Sequence, residues 1–306
     1  MSVIGFDTSN YTTSVAWFDG VSGENCSKLL PVQEGALGLR QSDAVFHHTA
    51  SLPELSGRLF SNFTDRITAV GVSTRPRAVE GSYMPCFSVG YSHAKLLADA
   101  FHVPLITCSH QQGHVAASVW SAGRMDLLDQ PHLAWHLSGG TTELLLVEPE
   151  GKSVRCTRIG GTTDISAGQL IDRTGQLLGL PFPSGKHLDA LSTDAMNRDV
   201  FKVKCSGSSF SLSGVQNKVQ QYHAQHDNPA ETAGYALRCV CHAVYQATEN
   251  AQKEYPGLEV VFSGGVASNA MLRKALSDCK PVFAEPKYST DNAMGVAVLT
   301  YRMQED

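Results

Sequence analysis

No apolar run in this 306-residue chain approaches the roughly 18 residues a membrane-spanning helix needs, so no span is expected. Residues 1–7, Met-Ser-Val-Ile-Gly-Phe-Asp, lack the positive charge and the long apolar stretch of a secretory leader, which predicts a cytoplasmic protein. The eight cysteines form no Cys-x-x-Cys pair; they stand apart at Cys26, Cys86, Cys108, Cys156, Cys205, Cys239, Cys241 and Cys279. That scatter argues against a zinc knuckle and reads as reduced thiols. Basic residues are not clustered, and 24 Lys and Arg against 29 Asp and Glu leave a net charge of −5. Tight autonomous binding of nucleic acid needs several phosphate-neutralising cations, so the balance speaks against it. It leaves room for a local basic groove, or for partner subunits that supply one.

What is present is an ordinary globular composition, 42% apolar, long enough for one two-lobed domain or two domains. The most informative stretch runs from Cys108 to His114, Cys-Ser-His-Gln-Gln-Gly-His. It follows the strand-like 103–107 and opens an amphipathic segment. Ser109 and Gln112 have capping-box spacing, which predicts a helix start. His110 and His114 then lie one turn apart on one helical face, where two imidazoles can reach one ion. The spacing alone leaves two readings, a ligand pair and an ordinary pair at a helix start. A second pair, His132 and His136, lies in an extended run, where residues four apart stand about 13 Å from each other and cannot share an ion.

Strands are predicted at 3–7 and 13–18, forming a hairpin, and a related hairpin recurs at 133–137 and 142–147 around Ser138-Gly-Gly140. Helices are expected at 44–60, 88–101, 163–178, 234–253, 269–278 and 292–303, with further strands at 67–72 and 258–262. Alternation of strand and helix after each hairpin predicts an α/β protein, a duplicated actin-like or sugar-kinase-like fold with two lobes and an interlobe cleft. The lobes are expected at 1–130, with the histidine helix, and 131–306, with the nucleotide-binding motifs. At 261–269, Val-Phe-Ser-Gly-Gly-Val-Ala-Ser-Asn runs a strand through Gly264 and Gly265 into a helix. Such a turn permits close backbone approach by an anion, or is a tight turn with no ligand.

Taken in order, these motifs resemble the TsaD family, the tRNA threonylcarbamoyladenosine transferases once described as O-sialoglycoprotein endopeptidases. The chain's Gly5-Phe-Asp-Thr-Ser9 is similar to the family's Gly-Ile-Glu-Thr-Ser. His110-Gln-Gln-Gly-His114 resembles His-x-Glu-Gly-His, and Leu137-Ser-Gly-Gly-Thr141 resembles the Ser-Gly-Gly-His-Thr hairpin. Further likenesses run through Asp164–Asp172, Leu178–Gly185, Phe210–Gly214, Ser263–Asn269 and Ser289–Asn292.

The resemblance implies a third metal ligand, Asp291, and one divalent ion, iron or zinc. It implies an adenine nucleotide, threonylcarbamoyl-AMP or ATP/AMP, contacted by Leu137, Ser138, Gly139, Gly140, Thr141, Asp172, Gly185, Gly264, Gly265 and Asn269. The activity it implies is transfer of threonylcarbamoyl to the N6 amine of an adenosine in tRNA. Expected partners are tRNA, bound with help from other subunits, and a heteromeric complex with an inactive homologue and a small ATPase. The chain also departs from the family. Tyr11 and Thr12 replace an acidic pair near the reacting centre, Gln112 replaces a Glu, Arg75-Pro-Arg77 replaces Gly-Pro-Gly, and Thr141 replaces the hairpin His. The catalytic group is therefore unassigned, with Asp7 a candidate. The pattern fits a diverged paralogue, either a carbamoyl transferase or a weak or inactive scaffold subunit; kinase-like ATP hydrolysis is a further alternative. A peptidase is not expected, because His-x-x-x-His here lacks the Glu that activates water in an HExxH helix.

Overall fold

The computed structural model describes residues 1–31, 39–61 and 63–304. In chain order the elements are β1 (Ser2–Ser9), β2 (Thr12–Phe18), β3 (Gly23–Leu29), α1 (Gln41–Phe60), β4 (Ile67–Arg75), α2 (Phe87–Phe101), β5 (Leu105–Ser109) and α3 (His110–Ser121). There follow β6 (His132–Leu137), β7 (Thr142–Glu150), β8 (Ser153–Thr162), α4 (Ala167–Leu177), α5 (Gly185–Ser192), β9 (Cys205–Ser206) and β10 (Ser209–Phe210). The remainder is α6 (Ser213–His226), α7 (Pro229–Glu254), β11 (Val260–Ser263), α8 (Ala270–Ala275), β12 (Pro281–Phe283) and α9 (Met294–Met303).

The chain divides into two compact units, each described here by itself. The first is Met1–Gln130 with Glu148–Cys156 and Asp291–Asp306; the second is Pro131–Val147 with Thr157–Thr290. A single cut between 130 and 131 therefore misplaces two segments. The reason is α9, whose residues Met294 to Thr300 are all buried. A helix apolar on every side must be covered all round, and α9 is covered by β1, β2, β4 and α3 of the first unit.

The first sheet has the order β3-β2-β1-β4-β5. β1 and β2 are antiparallel, whereas β4 and β5 run parallel to β1 through helical crossovers. β1 is central and buried at every position, so it reads as a continuous run rather than an alternation. β3 is the edge, and its exposed polar residues, among them Glu24 and Lys28, suit a strand that must not pair further. The second sheet, β12-β11-β6-β7-β8-β10-β9, contains the same order in its first five strands, read as β8-β7-β6-β11-β12. The duplication expected from the two hairpins is thus a duplication of topology. Trp135 of β6 lies at the centre of the second core, fully buried, with its indole N–H donating to Thr248 of α7 at 2.9 Å.

α7 begins where its sequence says it should. The Asn228 side chain accepts from the backbone N–H groups of Ala230 and Glu231, and Pro229 occupies the first helical position. Among the described residues no helix is long and apolar enough to cross a membrane.

Candidate metal centre and nucleotide-binding loops

In the first unit the carboxyl ends of the parallel strands β1, β4 and β5 carry Asp7, Ser73 and Ser109. In open α/β sheets this is the edge where ligands bind. β5 runs without a break into α3, and Ser109 caps the helix: its side chain accepts from the N–H of Gln112, and the Gln112 side chain accepts from the N–H of Ser109. The capping box read from the sequence is present, and it puts His110 and His114 on one face.

Asp291 is far away in sequence and is brought in by helix packing. α9 begins three residues later and crosses α3 at very short range. A Cβ on Gly295 would strike the carbonyl oxygen of Gly113 and come within 2.7 Å of the Ala117 nitrogen, so only glycine fits there. Two side-chain amides fix the approach, Asn25 accepting from the N–H of Ala293 at 2.9 Å and Asn292 from that of Met294 at 3.0 Å.

The outcome is a triangle of donor atoms. The Nε2 atoms of His110 and His114 are 2.9 Å apart, and Asp291 Oδ1 lies 3.1 Å from His114 Nε2 and 3.5 Å from His110 Nε2. Ligands about 2.0–2.1 Å from a tetrahedral ion stand about 3.3 Å from one another. The three side chains therefore meet the spacing of three corners around one ion. Two imidazoles and one carboxylate also leave coordination positions for water or substrate.

The electrostatics favour a cation at that spot. Burial pushes the His110 imidazole down, but the Asp7 carboxylate and the bond to Asp291 outweigh it and hold His110 up at about 10. Burial raises Asp291, yet hydrogen bonds from His110 and His114 hold it well below the usual carboxylate range. Asp7 is likewise lowered against its burial, by the charge of His110 and by bonds from His110 and Ser73. Asp7, fully buried, and Asp291, 25% exposed, flank His110, and two carboxylates of like charge favour a positive charge between them.

The substituted positions are informative. Gln112 does not face the histidine triangle. Its amide nitrogen donates to the Val154 carbonyl at 2.6 Å, tying α3 to the start of β8. The Glu expected there by resemblance has in this chain become a structural amide. Tyr11 is partly exposed at the β1–β2 turn, and its carbonyl accepts from Leu30 N–H at 2.8 Å; Thr12 is buried as the first residue of β2. Pro76 of the Arg75-Pro-Arg77 segment accepts from the N–H of Gln111 at 3.0 Å, so that loop lies against the first turn of α3. The cavity of about 560 Å³ in this unit, lined by Phe60, Phe63, Leu97 and Phe101 among others, shares no residue with the histidine triangle.

In the second unit the predicted nucleotide residues fall into two groups. The first is the β6–β7 turn. Leu137 is buried at the end of β6, and the turn is closed by Ser138 N–H to Thr141 carbonyl at 2.8 Å and Thr141 N–H to Ser138 hydroxyl at 3.0 Å. Ser166, which caps α4, donates to the Gly139 carbonyl at 2.6 Å, so the helix N-terminus rests on the turn. Gly264 has φ of 89° and approaches the Leu137 backbone so closely that a Cβ would collide with the Leu137 carbonyl. Gly139, Gly140 and Gly265 face open space. All three are exposed, so a side chain would meet no steric obstacle there.

The second group surrounds α5. Asp172 accepts from Ser184 N–H at 2.8 Å, just before Gly185, and its carboxyl is raised by burial against that bond. Asn269 caps α8 by accepting from Leu272 N–H at 2.9 Å, and its amide donates to Asp189 of α5 at 2.8 Å. Asn269 therefore uses one N–H and one lone pair of its amide inside the protein, and a second of each remains. Asp189, which the sequence did not single out, is the residue that links α5 to α8.

Comparison with known proteins decides the family. The profile described as "TsaD: tRNA N6-adenosine threonylcarbamoyltransferase" matches residues 38–298. This chain belongs to the TsaD family. A tRNA N6-adenosine threonylcarbamoyltransferase of Lactococcus lactis subsp. cremoris is 32% identical over 253 residues, covering 78% of this chain and 71% of that protein. One from Dehalococcoides mccartyi is 29% identical over 314 residues, covering 98% and 93%. Among solved structures, full-length HypF in a phosphate- and nucleotide-bound form superposes with a TM-score of 0.65 at 14% identity, covering all of this chain and 47% of that one. The ROK hexokinase of Thermus thermophilus gives 0.54 at 16% identity, with both chains fully covered. At such identities the likeness shows the fold, the actin-like and sugar-kinase-like α/β architecture expected from the two hairpins.

Proposed function

We propose that this chain is a metal-dependent transferase that moves a threonylcarbamoyl group from threonylcarbamoyl-AMP to the N6 amine of an adenosine in tRNA. The observation that carries the reading is the triangle of His110, His114 and Asp291 in a chain of the TsaD family. In the reaction the amine nitrogen bonds to the carbamoyl carbon, the bond from that carbon to the phosphate oxygen breaks, AMP departs, and the amine loses one proton. A bound iron or zinc ion would polarise the carbamoyl oxygen as a Lewis acid. The N–H groups of Gly139, Gly140 and Gly265 would hold the phosphate, and Asp172 would accept from ribose hydroxyls.

Supporting subunits and tRNA would be the partners and the cytoplasm the compartment. Net charge −5 supports a reading in which partners supply much of the tRNA binding.

A second reading is a diverged paralogue that binds ion and nucleotide as a scaffold without turnover. It is favoured by Tyr11 and Thr12 in place of an acidic pair, since losing general acid–base help typically costs about two to four powers of ten in rate. Single-turnover transfer from threonylcarbamoyl-AMP to tRNA separates the two. Measurable transfer, lost in His110→Ala, supports the transferase. Intact nucleotide and metal binding without transfer supports the scaffold, and no nucleotide affinity ends both.

A further inference from the structure

The His110 ring has two edges, and the structure gives them different neighbours. Its Nε2 points into the ligand triangle. Its Nδ1 points the other way, at Asp7, whose carboxylate oxygens lie 3.0 and 3.1 Å from it. Asp7 is fully buried on β1. The Ser73 hydroxyl of the adjacent strand β4 donates to Asp7 Oδ1. Asp7 is not among the side chains whose donor atoms converge on one point, and its burial withholds it from substrate.

We propose that Asp7, seated by Ser73, is a positioning residue that fixes His110 with its proton on Nδ1 and so presents the Nε2 lone pair to the ion. This rests on the metal reading above. An ionised carboxylate only accepts hydrogen bonds, so the imidazole edge facing it must carry the proton. The opposite nitrogen is then free to bind metal. Carboxylates that hold ligand imidazoles in this way also raise their basicity, and losing one typically weakens metal affinity about 10- to 100-fold. The sequence hides the arrangement, because Asp7 and His110 are 103 positions apart and come together only through the parallel pairing of β1, β4 and β5.

The test is Co²⁺ binding to the full-length protein, followed by its visible d–d spectrum and by competition with Zn²⁺, for wild type, Asp7→Asn, Ser73→Ala and His114→Ala. Asn is nearly isosteric, but its NH2 can turn toward Nδ1 and favour the wrong tautomer. Asp7→Asn is expected to bind Co²⁺ about 10- to 100-fold more weakly with an altered spectrum, and Ser73→Ala less than tenfold more weakly. Binding within twofold of wild type and an unchanged spectrum in Asp7→Asn would overturn the assignment while leaving the metal site standing. Failure of wild type to bind Co²⁺ better than His114→Ala would remove the metal reading itself, and this inference with it. Should Asp7→Asn not fold, long-range 1H–15N spectra of Zn²⁺-loaded wild type decide the matter. A protonated His110 Nδ1 supports the proposal, and an unprotonated one overturns it.

Discussion

Gln112 stands where the resemblance implied a Glu, and its hydrogen bonds say why the amide suits this chain. It must accept from the Ser109 N–H and donate to the Val154 carbonyl in the same buried spot. A carboxylate can do only the first. Gln112→Glu is therefore expected to cost about 1–3 kcal/mol at neutral pH, the price of a buried carbonyl facing a charge. Denaturant unfolding measures this; the penalty raises the folded pKa of the Glu above its unfolded value, so the deficit should shrink as the pH falls from neutral and be gone by about pH 4, where the Glu is protonated in both states and can donate. Asp164 poses the opposite case. It accepts from the hydroxyls of Ser211 and Ser213 and from the N–H groups of Leu212 and Ser213 at the start of α6. Although partial burial pushes its carboxyl up, those bonds hold it well below 3.8. A depressed carboxyl contributes stability that is present above its unfolded value and is lost as pH falls through the folded one. Asp164 is exposed, which reduces the effect, so Asp164→Asn should cost about 1 kcal/mol at pH 7. Unfolding midpoints of variant and wild type should converge as the pH is taken from 5 toward 2, within the window set by that downward shift.

Between elements, the contact that matters most is α3 against α9. Gly295→Ala puts a methyl into the Gly113 carbonyl, and the helices must part. Forced overpacking typically costs about 1–3 kcal/mol. The displacement also moves Asp291 from the histidines, so the variant should lose Zn²⁺ affinity by at least tenfold, while Gly139→Ala, which meets open space, should keep it. Equal affinity in the two variants, measured by competition with a chromophoric chelator, would count against this account of how the triangle forms. The same contact marks how far the sequence could be read. The capping box at Ser109 and the two hairpins were legible because they are local: caps and period-two strands depend on residues within a few positions. The side chains of His110, His114 and Asp291 lie together, but neither Gly295 nor Asp7 announces its part in that arrangement, since both act through packing over more than a hundred residues. The elements missed were β3, β8, α5, α6, β12 and the short pair β9 and β10. β3 is a polar edge strand, α6 is a mostly polar helix capped by the distant Asp164, and β12 spans only Pro281–Phe283. None carries enough apolar periodicity to be seen alone. Asn269 caps α8 and donates to Asp189, 80 positions away, a pairing its own motif could not reveal.

Taken as a whole, the chain distributes its two candidate chemistries between its two compact units. His110, His114 and Asp291 all belong to the first, although Asp291 follows His114 by 177 positions. The turn at Ser138–Thr141, Asp172, Gly185, Gly264, Gly265 and Asn269 all belong to the second. A ligand that binds only the folded form stabilises the unit that holds it, by about 2.7 kcal/mol at a hundred times its dissociation constant. Units with separate cores are expected to melt in separable transitions. Zn²⁺ should therefore raise the transition of the first unit by several degrees, and threonylcarbamoyl-AMP or AMP that of the second. Asp291→Ala should abolish the metal shift and preserve the nucleotide shift. Scanning calorimetry of the full chain, with each ligand alone, reads both. A metal shift that survives Asp291→Ala, or a nucleotide shift confined to the transition that Zn²⁺ moves, would mean that the ligands are not held where these side chains place them.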